Sequence, residues 1–161
     1  MSPKSLLRHP LAVSKLTDLT SGHFQQVLDD PGSPESATKV LFCSGKIYYE
    51  LFQRRQSLNA FDIAIVRIEQ FYPFPRNRLK SIVAKYRQAE HYAWVQEEPA
   101  NMGGWGFVYP RLEELIGKPL RYIGRTSAAS PATGFANIYR QEQAAIVKEA
   151  VGPPQEKMST G

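Results

Sequence analysis

The feature that most constrains the fold of this chain is a repeated alternation of short apolar runs with longer segments of helical periodicity. The apolar runs have the length of buried strands and lie at residues 39–43, 63–68, 92–95 and 120–123. Helical spacing follows at 46–58, at 76–86, in the stretch that ends at Gly117, and at 137–150. Strands joined by helices of this length require right-handed crossovers, so we predict a mostly parallel sheet in a three-layer α/β fold.

The 161 residues, 42% of them apolar, suit one domain with one sizeable core. Proline and glycine are dense in the first 37 residues, which predicts an irregular leader over 1–37 with at most a short turn of helix. We place the α/β domain at 38–151 and expect the polar tail 152–161 to be disordered. A multidomain cofactor enzyme needs a longer chain, so we expect any complex chemistry to be shared with another part.

The net charge of +5 comes from basic residues that are scattered rather than clustered, so nucleic acid is not predicted as a partner. The amino terminus has no apolar signal core, and no stretch approaches the roughly 18 apolar residues of a membrane span. Cys43 is the single cysteine and cannot form an intramolecular disulfide. We therefore expect a cytoplasmic protein without a membrane partner, in which Cys43 is an inert core thiol.

The loops at the carboxyl ends of the predicted strands are where a parallel α/β sheet usually binds ligands. Ser44, Gly45 and Lys46 lie between a buried strand and a helix, so their backbone N–H groups and the lysine could hold a phosphate. Arg121 and Arg125, at the fourth strand, could supply a second clamp. The alternative is that Ser44 caps the helix and Gly45 makes the turn. The residues alone leave both interpretations open.

Other polar and aromatic groups favour structural roles. Glu69, Glu97 and Glu98 could form an acid–base set, but no nucleophile or metal set accompanies them, and ion pairing with Arg67 and other arginines is the preferred interpretation. The three histidines are too far apart in sequence for a metal motif, so no metal site is predicted. The aromatic residues after the double glycine favour a subunit contact over a cofactor shelf; they are Trp105, Phe107 and Tyr109.

Five strings together resemble a known family. They are PKSLLRHP at 3–10, FCSGKIYY at 42–49, AIVRIEQ at 64–70 with PFP at 73–75, WVQEEPANMG at 94–103, and YIGR with ASPATG within 122–134. Their order and spacing resemble the carboxyl-terminal domains of the first, decarboxylating components of 2-oxoglutarate dehydrogenases, in the transketolase superfamily. The resemblance runs from about residue 2 to residue 150, and several strings in order are far more specific than one motif.

The resemblance implies a transketolase carboxyl-terminal fold, an α/β/α sandwich whose mainly parallel sheet has five strands. It also implies a parent homodimer that uses thiamine diphosphate and magnesium to decarboxylate 2-oxoglutarate in the tricarboxylic acid cycle. Such an enzyme passes succinyl to lipoyl-lysine on the dihydrolipoyl succinyltransferase component. The sequence has no positions that match the cofactor motifs, so we expect no cofactor and no catalytic residue in this chain. Its implied role is structural and regulatory, packed on the preceding domains of the same enzyme.

Some members of the family bind AMP or acetyl-coenzyme A on this domain, which would give the loop at 44–46 a regulatory function. Gln25 and Gln26 stand where members that respond to acetyl-coenzyme A tend to carry an arginine, and an amide cannot pair with phosphate as a guanidinium does. Two alternatives stay open on the residues: a stand-alone adenine nucleotide-binding module, and the same domain of a 2-oxoadipate dehydrogenase.

Overall fold

The computed structural model describes residues 3–32 and 35–152 of the chain. A 3₁₀ turn at Lys4–Leu6 comes first. The strands are β1 (Val27–Leu28), β2 (Lys39–Cys43), β3 (Ile63–Ile68), β4 (His91–Pro99) and β5 (Leu120–Arg125). The helices are α1 (Leu16–Thr20), α2 (Ile47–Leu58), α3 (Arg76–Lys85), α4 (Trp105–Ile116) and α5 (Ala136–Ala150). No helix among these residues is long and apolar enough to cross a membrane.

The five strands form one sheet in the order β1-β3-β2-β4-β5. β2 lies at the centre and is parallel to β3 and β4, and β5 is parallel to β4. β1 is the exception, because it runs antiparallel to β3 with Val27 opposite Ile68. The predicted mostly parallel sheet is confirmed. The carboxyl ends of β2, β4 and β5 therefore meet at one edge of the sheet, which we call the carboxyl edge.

Helices cover both faces of this sheet, as a parallel sheet requires. Alternate residues of β2 enter two separate cores: Val40 and Phe42 pack with α3 and α4, whereas Leu41 and Cys43 pack with α2 and α5. The period of two along a strand explains this division. The predicted three-layer α/β/α sandwich is confirmed, and Cys43 lies fully buried, where burial raises the pKa of its thiol.

The fifth strand comes from the segment that the sequence predicts to be an irregular leader. β1 has two residues, too few to show the alternation that identifies a strand, so the sequence pattern misses it. Residues after β1 are also tied to the domain, because the Asp30 carboxylate is buried against Arg55 and the Asp29 carboxylate accepts from Lys85. The division at residue 37 stays a prediction. The expected disorder of the tail concerns residues 153–161, which lie outside the described residues.

Candidate functional site

The loop Ser44–Lys46 lies at the carboxyl edge, where β2 passes into α2. Gly45 has a positive φ of 70°, a conformation that favours glycine. Lys46, not Ser44, is the N-cap residue directly before α2, and the helix start has no side-chain capping bond. The alternative interpretation of Ser44 as a helix cap is therefore wrong, whereas the turn at Gly45 is confirmed.

The ammonium group of Lys46 is already paired with protein groups. Lys46 Nζ forms an ion pair with Glu97 at the carboxyl edge of β4, and lies 3.4 Å from Glu50 Oε1 and 3.1 Å from Tyr139 Oη. Tyr139 in turn donates to Glu97 Oε1 at 3.0 Å. Burial opposes the charged ammonium, but the hydrogen bonds to Glu97 and Tyr139 outweigh it and raise the pKa of Lys46. Lys46, which the sequence predicts to bind phosphate, is thus the centre of a polar network whose groups are all on the protein.

Arg125 joins the same network from the end of β5. Its Nε donates to Glu142 Oε2 at 2.7 Å, its Nη1 donates to the Glu97 carbonyl oxygen, and its Nη2 lies 3.4 Å from Gln143 Oε1. Its guanidinium also lies 4.9 Å from the centre of the Tyr139 ring. The structure therefore brings Arg125 and Lys46 together, as the site prediction requires, but gives each of them a protein counter-charge.

Arg121 does not reach this network, which corrects its predicted part in the site. It stands opposite Ala93 in the register of β4 and β5, and its Nη2 donates to Glu149 Oε1 at 2.6 Å. Four residues along a strand span about 13 Å, so Arg121 lies toward the amino ends of the strands. There it lines a cavity of about 1070 Å³ together with Lys39, whose pKa is lowered by burial and by the nearby Arg121.

The carboxylates named by the sequence do not assemble into an acid–base set. Glu69 lies 3.8 Å from the guanidinium of Arg67, and Glu97 pairs with Lys46. The preferred interpretation, ion pairing, is what the structure shows for both. In the described part of the chain, no group of three histidine, cysteine, aspartate or glutamate residues could hold a metal ion.

The aromatic residues of α4 contact the domain's own core. Trp105 packs against Tyr109 and Tyr122, with ring centres 4.6 and 5.2 Å apart, and Phe107 packs against Phe71 at 6.3 Å. All three aromatic residues of α4 stay partly accessible beside the core. Core packing therefore accounts for their positions, and a subunit contact through them stays a prediction.

A buried amide that no sequence pattern singled out organises the loop after β4. Gln96 Oε1 accepts from Trp94 Nε1 at 2.8 Å and from the Trp105 backbone N–H at 3.0 Å. Its Nε2 donates to the Met102 carbonyl oxygen at 2.8 Å and reaches two further carbonyl oxygens. All of its hydrogen-bonding capacity is used within the domain, which stabilises one conformation of the loop.

A second amide joins this loop to the one after β5. The Asn101 side chain donates to the Ala128 carbonyl oxygen at 3.0 Å and accepts from the Ala128 N–H at 3.1 Å. The carboxyl edge is thus a set of loops locked to each other by satisfied polar groups. Such satisfied polar groups hold the loops in one conformation.

Comparisons with known proteins agree with this architecture. The profile of the family described as "2-oxoglutarate dehydrogenase C-terminal" matches residues 13–151. A solved structure called "Split gene transketolase, inactive beta4 tetramer" superposes with a TM-score of 0.54 at 16% identity, covering 80% of this chain and 42% of that one. At this identity the likeness concerns the fold, and it confirms the transketolase carboxyl-terminal type of sandwich.

Similar sequences carry the same family name. The chain is 43% identical over 155 residues to the "2-oxoglutarate dehydrogenase E1 component" of Haemophilus influenzae, and equally to the "Oxoglutarate dehydrogenase" of Buchnera aphidicola. The "2-oxoglutarate dehydrogenase E1 component" of Rickettsia felis is 42% identical over 160 residues. These alignments cover 94% of this chain but only 16–17% of each relative. With the match over 13–151, they show that the chain belongs to the 2-oxoglutarate dehydrogenase C-terminal family.

Proposed function

We propose that the chain serves as the non-catalytic carboxyl-terminal domain of a 2-oxoglutarate dehydrogenase first component. The parent enzyme would decarboxylate 2-oxoglutarate in the cytoplasm and pass succinyl to lipoyl-lysine on the dihydrolipoyl succinyltransferase component. The observation that carries the proposal is the family match over 13–151, combined with relatives about six times as long. The domain would then complete the subunit and support the homodimer.

Thiamine diphosphate and magnesium would supply the decarboxylation chemistry of such a parent. The described residues do not fit this cofactor, because they offer no group of three histidine, cysteine, aspartate or glutamate residues that could hold the metal, and Lys46 and Arg125 are held by Glu97 and Glu142. We assign no catalytic step to this chain. The cofactor would be held by the earlier domains of the parent.

The leader supports a contact with those earlier domains. Six large apolar side chains between residues 7 and 24 are at least 41% exposed: Leu7, Leu11, Val13, Leu16, Leu19 and Phe24. An exposed apolar surface of this kind marks an interaction site in a soluble protein. Since the leader is at the amino end of the domain, the preceding part of the same enzyme is the partner that connectivity brings closest. We infer that the leader packs on it.

Complementation tests the proposal. A Haemophilus influenzae relative that lacks the 155 residues aligned with this chain would be mixed with this chain, and turnover of 2-oxoglutarate would be measured. We expect the mixture to be active and each part alone to be inactive. Micromolar binding of thiamine diphosphate by this chain alone, measured by calorimetry with magnesium, would contradict the proposal. Assaying 2-oxoadipate in parallel distinguishes the alternative parent enzyme.

A further inference from the structure

The positive charge of the chain is concentrated around α3. Residues 70–89 contain five basic residues and no aspartate or glutamate; the five are Arg76, Arg78, Lys80, Lys85 and Arg87. The chain has 20 basic and 15 acidic residues, so 15 of each lie outside this segment, and the segment accounts for the net charge of +5. No two of the five are adjacent in sequence, but helical periodicity places those of α3 together outside its buried stripe.

The outer face of α3 has the spacing of a surface on which a second helix packs. Its exposed residues Asn77, Ser81 and Ala84 recur at intervals of four and three. Leu79 and Ile82 are buried on the opposite side of the helix. Intervals of three and four residues form the seam between paired helices. The seam residues are small and uncharged, and the Ser81 hydroxyl donates to the Asn77 carbonyl oxygen at 3.1 Å, so a second helix can approach this face closely.

Cations border this seam on both sides. When the seam is written as positions a and d of a heptad, the flanking positions e and g of α3 are all basic: Arg78, Lys80 and Lys85. Arg87 follows one heptad after Lys80, in the turn after α3. Charges at positions e and g select the partner of a paired helix. Because like charges repel, this face disfavours a second copy of itself and favours a partner with carboxylates.

Most of these cations have no counter-charge within the domain. Lys85 is the exception, because its Nζ pairs with the Asp29 carboxylate at 2.8 Å. The other three, Arg78, Lys80 and Arg87, are exposed, and none of them forms an ion pair in the described part of the chain. Their charges are therefore available to an acidic partner.

We propose that the outer face of α3 docks an acidic α-helix of a partner protein, with Arg78, Lys80 and Arg87 as the groups that pair with its carboxylates. Such a helix supplies the counter-charges that the domain does not. A membrane surface fits less well, because no large apolar side chain is exposed between residues 76 and 88, all of which the structure describes. The inference goes beyond the proposed function and does not rest on it.

Titration of the full chain with a designed peptide tests this docking. The peptide is a helix of about 21 residues, three heptads, with alanine along its seam and glutamate at positions e and g. A matched peptide carries lysine at the same positions. Fluorescence anisotropy measures binding in about 0.1 M salt, which suppresses loose attraction. Backbone amide signals of Ser81 and Ala84 in a ¹H–¹⁵N NMR spectrum locate the contact.

Two variants of equal charge change complete the experiment. The site variant combines Arg78→Glu with Lys80→Glu. The control combines Arg140→Glu with Lys148→Glu, which reverses the same charge at exposed positions of α5, across the sheet. Thermal unfolding of both variants verifies that the fold is retained.

We expect the glutamate peptide to bind saturably, to move the amide signals of Ser81 and Ala84, and to bind the site variant on the order of tenfold more weakly. The lysine peptide should prefer the site variant to the unchanged chain, and the control variant should bind both peptides as the unchanged chain does. Absence of saturation up to about 1 mM glutamate peptide would overturn the proposal. Equal weakening in both variants would also overturn it, as would tighter binding of duplex DNA that is lost in the site variant.

Discussion

Arg55 of α2 and Asp30 of the leader form an ion pair in which both side chains are only 1% exposed. Asp30 also accepts from the Ile65 backbone N–H at 2.9 Å, and Arg55 donates to the Ile63 carbonyl oxygen at 2.9 Å. The pair therefore joins the leader, α2 and β3 at one buried point. Its neighbour Asp29 makes a more exposed contact with Lys85 of α3.

The substitution Asp30→Asn should be strongly destabilising, because it leaves the Arg55 charge buried without its counter-charge. We expect the free energy of unfolding to fall by about 3–5 kcal/mol. The matched control Asp29→Asn removes a charge whose partner stays partly solvated, and should cost about 1 kcal/mol. Urea unfolding of both variants measures the difference. Equal losses of unfolding free energy in the two variants would contradict the expectation that burial makes the Asp30–Arg55 pair costlier to break.

Tyr86 should make the stability of the domain sensitive to alkaline pH. Burial and then the hydrogen bond to Asp29 raise the pKa of Tyr86 to about 12. In the unfolded chain this phenol ionises near pH 10, so between about pH 10 and 12 the folded state binds more protons and stability falls as pH rises. We expect Tyr86→Phe to flatten this fall in urea unfolding across that range. An unchanged slope would contradict the assignment.

Nucleotide binding by the loop Ser44–Lys46 can be tested by substituting Lys46 and its ion-pair partner Glu97. If the loop binds the phosphate of an adenine nucleotide, Lys46→Ala should weaken binding on the order of tenfold. Glu97→Gln should tighten it, because the competing carboxylate is removed. Thermal-shift titrations with AMP and acetyl-coenzyme A measure both variants. If neither nucleotide changes the melting temperature of the unchanged chain or of either variant, the loop has a structural role only.

The isolated chain should associate in solution through its leader. Exposed apolar patches above a few hundred Å² promote association, and the leader residues Leu16 and Leu19 are 75% and 78% exposed. We expect light scattering across dilution to show an oligomer, which Leu16→Ser with Leu19→Ser should weaken. A mass that stays monomeric at every concentration would contradict this expectation.

Trp105→Ala tests whether the aromatic residues of α4, in addition to the leader, contribute to association. If Trp105 is an interface anchor, its loss should weaken association by more than about 1 kcal/mol. If its contacts with Tyr109 and Tyr122 are its main role, the same change should instead lower the free energy of unfolding by about 1–3 kcal/mol and leave association intact. The two measurements on one variant decide between these roles.

Local sequence patterns predicted most of the secondary structure. Strands β2 and β3 begin and end at the predicted residues, and α5 begins one residue earlier than predicted. Gly117 ends α4 with a positive φ of 67°, as its position suggested. Such features follow from the sequence because burial on one or both faces leaves a period in the order of apolar residues, and chain breaks leave glycine or proline.

The pairing of the polar groups was decided by the tertiary structure. In the sequence, Lys46 and Glu97 are 51 residues apart, and Arg55 and Asp30 are 25 residues apart. Strand order and helix packing bring each pair together, and no periodicity encodes that distance. Arg121 and Arg125 lie on one strand, and the packing gives them different partners: Arg121 pairs with Glu149 and Arg125 with Glu142. The sequence by itself determined the layers of the sandwich and its family, whereas the three-dimensional packing determined which charged groups neutralise each other.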